Sequence, residues 1–159
     1  MIETGGDMSP DGLYRYRLWR RWGPGEDVVW IMLNPSTADA TTDDRTISRC
    51  ISFSQGWGFG GMEVVNLYAL RATDPKELVG HPDPEGPDNA RAWQAAGCFE
   101  GDRTVVAAWG GHVDMSGLRR SRVLSGRSMA GFKCLGTTEK GHPRHPLYVK
   151  NGTAPISFR

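Results

Sequence analysis

The sequence has few cysteines and no long apolar run, and both absences exclude classes of protein. Its three cysteines, Cys50, Cys98 and Cys134, are widely spaced and form no Cys-x-x-Cys pair, which argues against a disulfide framework, a zinc site and an iron–sulfur cluster. No apolar segment approaches the roughly 20 residues of a membrane span, and the polar N-terminus lacks a signal-peptide core. We therefore expect a soluble, cytoplasmic monomer that needs no metal or cofactor.

Acidic residues are scarce in the last third of the chain. Residues 111–159 contain nine lysines and arginines but only two acidic residues, whereas residues 1–110 contain ten basic and sixteen acidic residues. Such a basic block is usually a solvated face, but it is also typical of proteins that contact phosphates. We predict that phosphates of DNA or of a nucleotide bind to a group of basic side chains in this block: Arg119, Arg120, Arg122, Lys140 and Arg144.

The most informative stretch is an apolar run that changes abruptly to polar residues. Val28–Leu33 contains six apolar residues and is followed by Asn34-Pro35-Ser36-Thr37-Ala38-Asp39. The run is typical of a buried central strand that ends at the proline. Open α/β sheets bind ligands at the carboxyl ends of their strands, so residues 34–39 are a candidate site loop. The alternative is a turn that caps the following helix.

The rest of the chain alternates between predicted strands and helices. The alternating segment Leu13–Trp22 and the turn at Gly23–Asp27 predict a hairpin with the central strand, its arginines protecting an exposed edge. Residues 1–12 are expected to be a loose arm. The remaining elements are helices after Thr42, over Asp88–Phe99 and around Met115–Leu124, and strands near 63–68, 104–109 and 132–135.

This order of elements predicts a fold class. Strand–helix–strand units imply right-handed crossovers and parallel pairing. We therefore predict that residues 1–159 form a single three-layer α/β/α domain, with a four-stranded parallel sheet and an N-terminal antiparallel hairpin strand.

Each predicted parallel strand has a distinctive residue at or after its carboxyl end. Asn34 follows the first, Asn66 lies in the second, Trp109 ends the third and His145 lies about ten residues past the fourth. Parallel strands end at one sheet edge, so these residues are expected to converge on one crevice. A buried Asn66 needs a hydrogen-bond partner, either a ligand or another part of the protein. Trp109 is better explained by the core, and His145 is not easily explained by it.

Five blocks carry a family resemblance: Leu33–Asp39, Asp44–Ile47, Asn66–Pro75, Ala108–Gly110 and His145–Tyr148. They resemble a bacterial and phage family of unknown function. More remotely, the chain resembles the uracil-DNA glycosylase superfamily, small α/β/α domains built on a four-stranded parallel sheet. Met32-Leu33-Asn34-Pro35 is similar to its first motif, Gly-x-Asn-Pro in some branches, and His145-Pro146-Leu147 is similar to its late His-Pro-Ser motif.

The resemblance to the glycosylases implies a role for three residues. Asn34 would position the attacking water, Asn66 would hydrogen-bond the Watson–Crick edge of the base, and His145 would stabilise negative charge on the departing base. Leu147 stands in place of the motif's serine, and Leu33 follows Met32 where glycine is typical. Uracil is therefore not carried over as the substrate.

Further residues of the site loop complete the predicted site. Asp39 is our candidate for a carboxylate beside the attacking water, and Asp43 or Asp44 are alternatives for which helix capping is the stronger interpretation. The base is predicted to have further contacts with three residues: Pro35, Ser36 and Trp109.

Three functions are compatible with these residues. The first is a glycosylase that removes a damaged or modified base from DNA after flipping it out of the duplex. The second is a hydrolase or transferase acting on a free nucleoside or nucleotide. The third is a noncatalytic DNA-binding module that retains the fold.

Overall fold

The computed structural model describes residues 1–159 and shows a mixed α/β fold. Seven strands form one sheet: β1 (Glu3–Met8), β2 (Arg15–Arg21), β3 (Asp27–Met32), β4 (Gly61–Asn66), β5 (Val105–Ala107), β6 (Lys133–Cys134) and β7 (Ile156–Ser157). The two α-helices are α1 (Arg45–Gly56) and α2 (Asn89–Ala95), and 3₁₀ helices span Pro75–Leu78, Gly111–Asp114 and Pro146–Tyr148. Neither α-helix is long and apolar enough to cross a bilayer.

The strand order is β1-β2-β4-β3-β5-β6-β7. Strand β3 lies at the centre and pairs in parallel with both β4 and β5, and β5 pairs in parallel with β6. The prediction that the apolar run forms a central strand parallel to the next buried strand is therefore confirmed. The prediction of a four-stranded parallel sheet with one hairpin strand is wrong, because antiparallel strands extend the sheet on both sides.

The predicted hairpin between β2 and β3 does not form. Strand β2 pairs antiparallel with β4 and with β1, so β4 lies between the two strands that the turn connects. Strand β2 is consequently not an edge, and its arginines do not protect one. The segment predicted as a loose arm is instead the edge strand β1. Its Gly5 lies directly under the Trp19 ring, where a Cβ atom would fall 2.2 Å from a ring carbon.

The two α-helices cover opposite faces of the sheet. Val28, Trp30 and Met32 pack in a core cluster with residues of α1, whereas Val29 and Ile31 pack in a cluster with residues of α2. The alternation of side chains along a strand thus explains why the whole run is apolar, since both faces of β3 are buried.

The helix predicted around Met115–Leu124 is absent. This segment consists of turns, and Gly117 has a left-handed φ of 84° that interrupts any helix. The Glu85 carboxylate accepts hydrogen bonds from the backbone N–H groups of Arg122 and Val123, at 2.8 and 2.9 Å. The part of the β5–β6 connection that was predicted to be a helix is therefore held by a side chain and contains no α-helix.

Candidate functional site

A cavity of about 800 Å³ lies at the carboxyl edge of the parallel strands. It contains residues that follow β3, end β4 and follow β5, together with the loop before β7. Six of the residues predicted from the sequence line it: Asn34, Ser36, Asn66, Trp109, Arg144 and His145. The structure thus brings Asn34, Asn66 and His145 to one cleft, as their positions relative to the strands predicted.

Three hydrogen bonds to backbone carbonyls hold the distant His145 loop at this edge. Gly110, with a φ of 75°, donates its N–H to the Pro143 carbonyl at 2.9 Å. Arg49 of α1 donates to the Pro146 carbonyl at 3.3 Å and also to the carbonyl of Val149. The loop is therefore held between the end of β5 and the first helix.

Asn34 presents a hydrogen-bond acceptor to the cavity. Its Nδ2 donates to the carbonyl oxygens of Pro35 and Ala72, at 2.9 and 2.8 Å. Both amide hydrogens are consumed by these bonds, so the orientation of the amide is fixed and Oδ1 remains available. An acceptor of this kind can hold a water molecule but is a poor base.

Asn66 is completely buried and yet has an unsatisfied side chain. Its exposed fraction is 0%, and neither Oδ1 nor Nδ2 has a hydrogen-bond partner in the protein. Its backbone carbonyl is held by Asn89 Nδ2 and Trp93 Nε1, both at 2.9 Å. Buried polar atoms are nearly always paired, and Asn66 lines the cavity, so its amide is the strongest candidate for a hydrogen bond to a ligand.

His145 is a neutral donor in this environment. Burial, aided by repulsion from His112 and opposed by Asp44, lowers the pKa of His145 to about 4. Its Nδ1 accepts the Leu147 N–H at 3.2 Å, and this assigns the remaining proton to Nε2. At neutral pH the imidazole therefore offers one N–H and no charge.

The three candidate carboxylates have different roles. Asp39 accepts hydrogen bonds from the backbone of Thr41 and Thr42 at 2.9 and 2.8 Å, which lowers the pKa of its carboxyl, and it does not line the cavity. Asp39 was predicted to lie beside the attacking water, but the structure does not bring it to the cavity that Asn34 lines. Asp43 pairs with Arg20 at 2.8 Å.

Asp44 combines two roles. Its Oδ1 accepts the Ile47 N–H at 2.9 Å and so caps helix α1, as the capping interpretation predicted. It also lines the cavity. Asp44 is consequently the one carboxylate of the three that faces the site.

The predicted base contacts are only partly in place. Ser36 and Trp109 line the cavity, and Trp109 also packs edge-on against Phe158, with the ring centroids 5.6 Å apart. Pro35 does not line the cavity; it is buried, and its carbonyl accepts hydrogen bonds from Asn34 Nδ2 and the Ala72 N–H. Tyr148, for which the sequence predicted no role, also lines the cavity; it is 80% exposed, and its ring centroid lies 5.8 Å from that of His145.

Most of the predicted phosphate-binding residues lie elsewhere or are already paired. Arg122 forms ion pairs with Asp83 and Glu85 at 3.0 and 3.2 Å, and Lys140 lies 3.8 Å from Asp114. Arg119 donates to the Pro82 carbonyl at 3.5 Å, and Arg120 is exposed. Of the five, only Arg144 lines the cavity.

Arg15 is a cavity residue that the sequence pattern concealed. Strict alternation would place Arg15 and Arg17 on the same face of β2. The pairing with β1 skips one residue of β2, however, because Asp7 pairs with Arg17 and the next residue, Met8, pairs with Arg15. Tyr16 is the extra residue of a β-bulge, and such bulges redirect side chains. Arg15 therefore points inward and lines the cavity.

Comparison with known proteins identifies one family. No curated protein and no solved structure matches the chain. Residues 15–147 match the family of proteins of unknown function DUF1643, and the chain belongs to that family.

Proposed function

We propose that this protein hydrolyses the N-glycosidic bond of a damaged or modified base in DNA. The observation that carries the proposal is the Asn66 amide, which is fully buried, unpartnered and shares one cavity with the neutral His145 donor. An amide offers a donor and an acceptor side by side, which matches the hydrogen-bonding edge of a nucleobase.

The cavity residues suit the charge changes of this reaction. Water attacks the anomeric carbon of the sugar, the carbon–nitrogen bond breaks, and its electron pair leaves with the base. The Nε2–H of His145 would stabilise the negative charge on the departing base, as an oxyanion-type donor does. Asn34 Oδ1 would orient the water, and the Asp44 carboxylate would accept its proton.

The resemblance to the uracil-DNA glycosylases supports the proposal. That likeness implies polar residues at the carboxyl ends of parallel strands, and Asn34, Asn66 and His145 line one cavity at that edge. In a bacterium or phage, such an enzyme would serve DNA repair or the removal of modified bases. Arg144 at the cavity would contact a phosphate beside the flipped base.

A free nucleoside or nucleotide is the second candidate substrate. The internal ion pairs of Arg122 and Lys140 leave less basic surface for a DNA backbone than the sequence predicted. A volume of about 800 Å³ is also within the range of sites for small ligands. This candidate keeps the same roles for Asn66 and His145.

The test is mass spectrometry of bases released from genomic and phage DNAs that bear different modified bases, run in parallel with free nucleosides and nucleotides. We expect a free base from at least one DNA. His145→Ala should lower its release by about 10²-fold or more. His142→Ala is the matched control, because His142 pairs with Asp114 at 2.7 Å and does not line the cavity.

Each outcome of this test has a defined meaning. Release from free nucleosides or nucleotides alone would move the function to the second candidate. DNA binding without release from any substrate would favour the noncatalytic module and contradict the proposal.

A further inference from the structure

Arg15 is a buried cation without a directly paired carboxylate. Its side chain is part of a residue that is 2% exposed, its Nη1 donates to the Ala38 carbonyl at 2.8 Å, and its Nε has no hydrogen-bond partner. No carboxylate lies within 4.0 Å of its guanidinium nitrogens. A buried charge left in this state is costly to the folded protein.

Arg20, on the same strand, shows what a structural arginine of this fold looks like. It is 1% exposed, its Nε pairs with Asp43 at 2.8 Å, and its Nη groups donate to the carbonyls of Trp19, Asp39 and Ala40. Its guanidinium is thus saturated by protein groups. Arg15 has one such bond and lines the cavity, whereas Arg20 does not line it.

We propose that Arg15 is the anion-recognition residue of this cavity, and that the ligand carries an oxyanion that pairs with its guanidinium while Asn66 binds a neutral edge of the same ligand. The inference deepens the proposed function and rests on it for the identity of that neutral edge as a nucleobase. Two groups with unpaired polar atoms, the Arg15 Nε and the Asn66 amide, carry the inference, because both residues are at most 2% exposed and both line one cavity.

The charges around Arg15 agree with this role. Burial, opposed by the nearby carboxylates of Asp44 and Asp39, lowers the pKa of Arg15 to about 10, so the guanidinium remains charged at neutral pH. Asp44 lines the same cavity but directs one oxygen to the N-terminus of α1. Guanidinium groups bind planar oxyanions through two parallel N–H donors, so both a phosphate and a carboxylate fit this chemistry.

The experiment compares ligands in pairs that differ only in the oxyanion. One arm uses the four common nucleosides and their 5′-monophosphates. The other uses uracil with orotate and cytosine with 5-carboxycytosine. Affinities are measured by titration calorimetry for the wild type, Arg15→Met, Arg15→Lys and Arg17→Met, the last being a control on the same strand that lies outside the cavity.

We expect at least one oxyanion member to bind the wild type roughly tenfold or more tightly than its neutral counterpart, as a charge-assisted hydrogen bond allows. Arg15→Met should abolish this preference, Arg15→Lys should keep part of it, and Arg17→Met should keep all of it. A preference in the first arm identifies a phosphate as the anion, and one in the second identifies a carboxyl group on the base.

Two results would overturn the inference: no oxyanion preference in either arm, or a preference that Arg15→Met retains. If Arg15→Met does not fold by circular dichroism, Arg15→Gln replaces it, because glutamine keeps an N–H donor for the Ala38 carbonyl. Base release is a separate measurement. Release of a neutral base at an unchanged rate by the Arg15 variant would refute the anion site alone, and oxyanion binding without release would refute the proposed function alone.

Discussion

At the residue scale, Asn66 and Asn89 are two buried asparagines that differ in their hydrogen bonds. Asn66 makes no side-chain hydrogen bond, whereas Asn89 Nδ2 donates to the carbonyls of Asn66 and Leu67 at 2.9 and 3.3 Å. We predict that Asn66→Leu leaves the free energy of unfolding unchanged or raises it by about 1 kcal/mol, because two unsatisfied atoms are removed. Asn89→Leu should lower it by about 1 to 3 kcal/mol.

Urea unfolding of both variants measures this difference. If Asn66→Leu is as destabilising as Asn89→Leu, the Asn66 amide is bound to the protein and is not directed at a ligand.

His145 has a pH signature of its own. Its pKa is lowered to about 4 in the folded protein, from an ordinary value near 6.5. Between these values the unfolded chain binds the proton and the folded chain does not, so the free energy of unfolding decreases as the pH falls from about 6.5 to 4. Across this window the wild type should lose about 2 to 3 kcal/mol more than His145→Gln.

Unfolding curves at several pH values test this prediction. Parallel pH profiles for the two proteins would show that His145 is an ordinary exposed histidine. Base release should also be insensitive to His145 titration above about pH 5, because the imidazole stays neutral there and keeps its single N–H donor.

At the scale of elements, one carboxylate at the start of helix α1 has two roles. Asp44 caps the helix and also lines the cavity. Asp44→Asn retains a capping side chain and should cost little stability, whereas Asp44→Ala should cost about 1 kcal/mol. Both variants should lower base release by about 10²-fold or more, because the proton acceptor is lost in each. A normal rate in Asp44→Asn would leave Asp44 with the capping role alone.

The sequence predicted the elements whose signal is local. The apolar run of β3 and the polar residues after it predicted a central strand and its site loop, and the predicted helices at α1 and α2 are present. Pairing between distant segments is not local, so the insertion of β4 between β2 and β3 could not be foreseen. Polar, glycine-containing β1 looks like an arm until Gly5 is seen against Trp19.

Part of the candidate site could also be predicted from the sequence. Asn34, Asn66, Trp109 and His145 were found because strand ends converge. Arg15 was missed because one extra residue in β2 reverses the side on which it lies. Asp39 was misplaced because a site loop and a hydrogen-bonded turn use the same residue types, and only the contacts to Thr41 and Thr42 separate them.

At the scale of the whole molecule, the basic block is less available than its composition suggests. Three of the five predicted phosphate-binding residues have no carboxylate partner: Arg119, Arg120 and Arg144. The logarithm of the DNA-binding constant should therefore fall with the logarithm of the salt concentration at a slope of roughly −2 to −3. Four free phosphate contacts would instead give a slope of roughly −3 to −4. Arg144→Gln should flatten the slope by nearly one unit, and Arg122→Gln should change it little.

Fluorescence anisotropy titrations at several salt concentrations measure these slopes. A slope that Arg122→Gln flattens as much as Arg144→Gln would show that the ion pairs with Asp83 and Glu85 open when DNA binds. Affinity that is insensitive to salt would instead favour a free nucleoside or nucleotide as the ligand.

The central claim is that one cavity binds a base through Asn66 and that His145 in this cavity assists the cleavage of the bond between base and sugar. The most direct test is the single-turnover rate of base release for the wild type and Asn66→Leu, measured on the DNA that yields a free base. The claim predicts rapid release by the wild type and a loss of about 10²-fold or more in a variant that is at least as stable. Equal rates in the two proteins would contradict it.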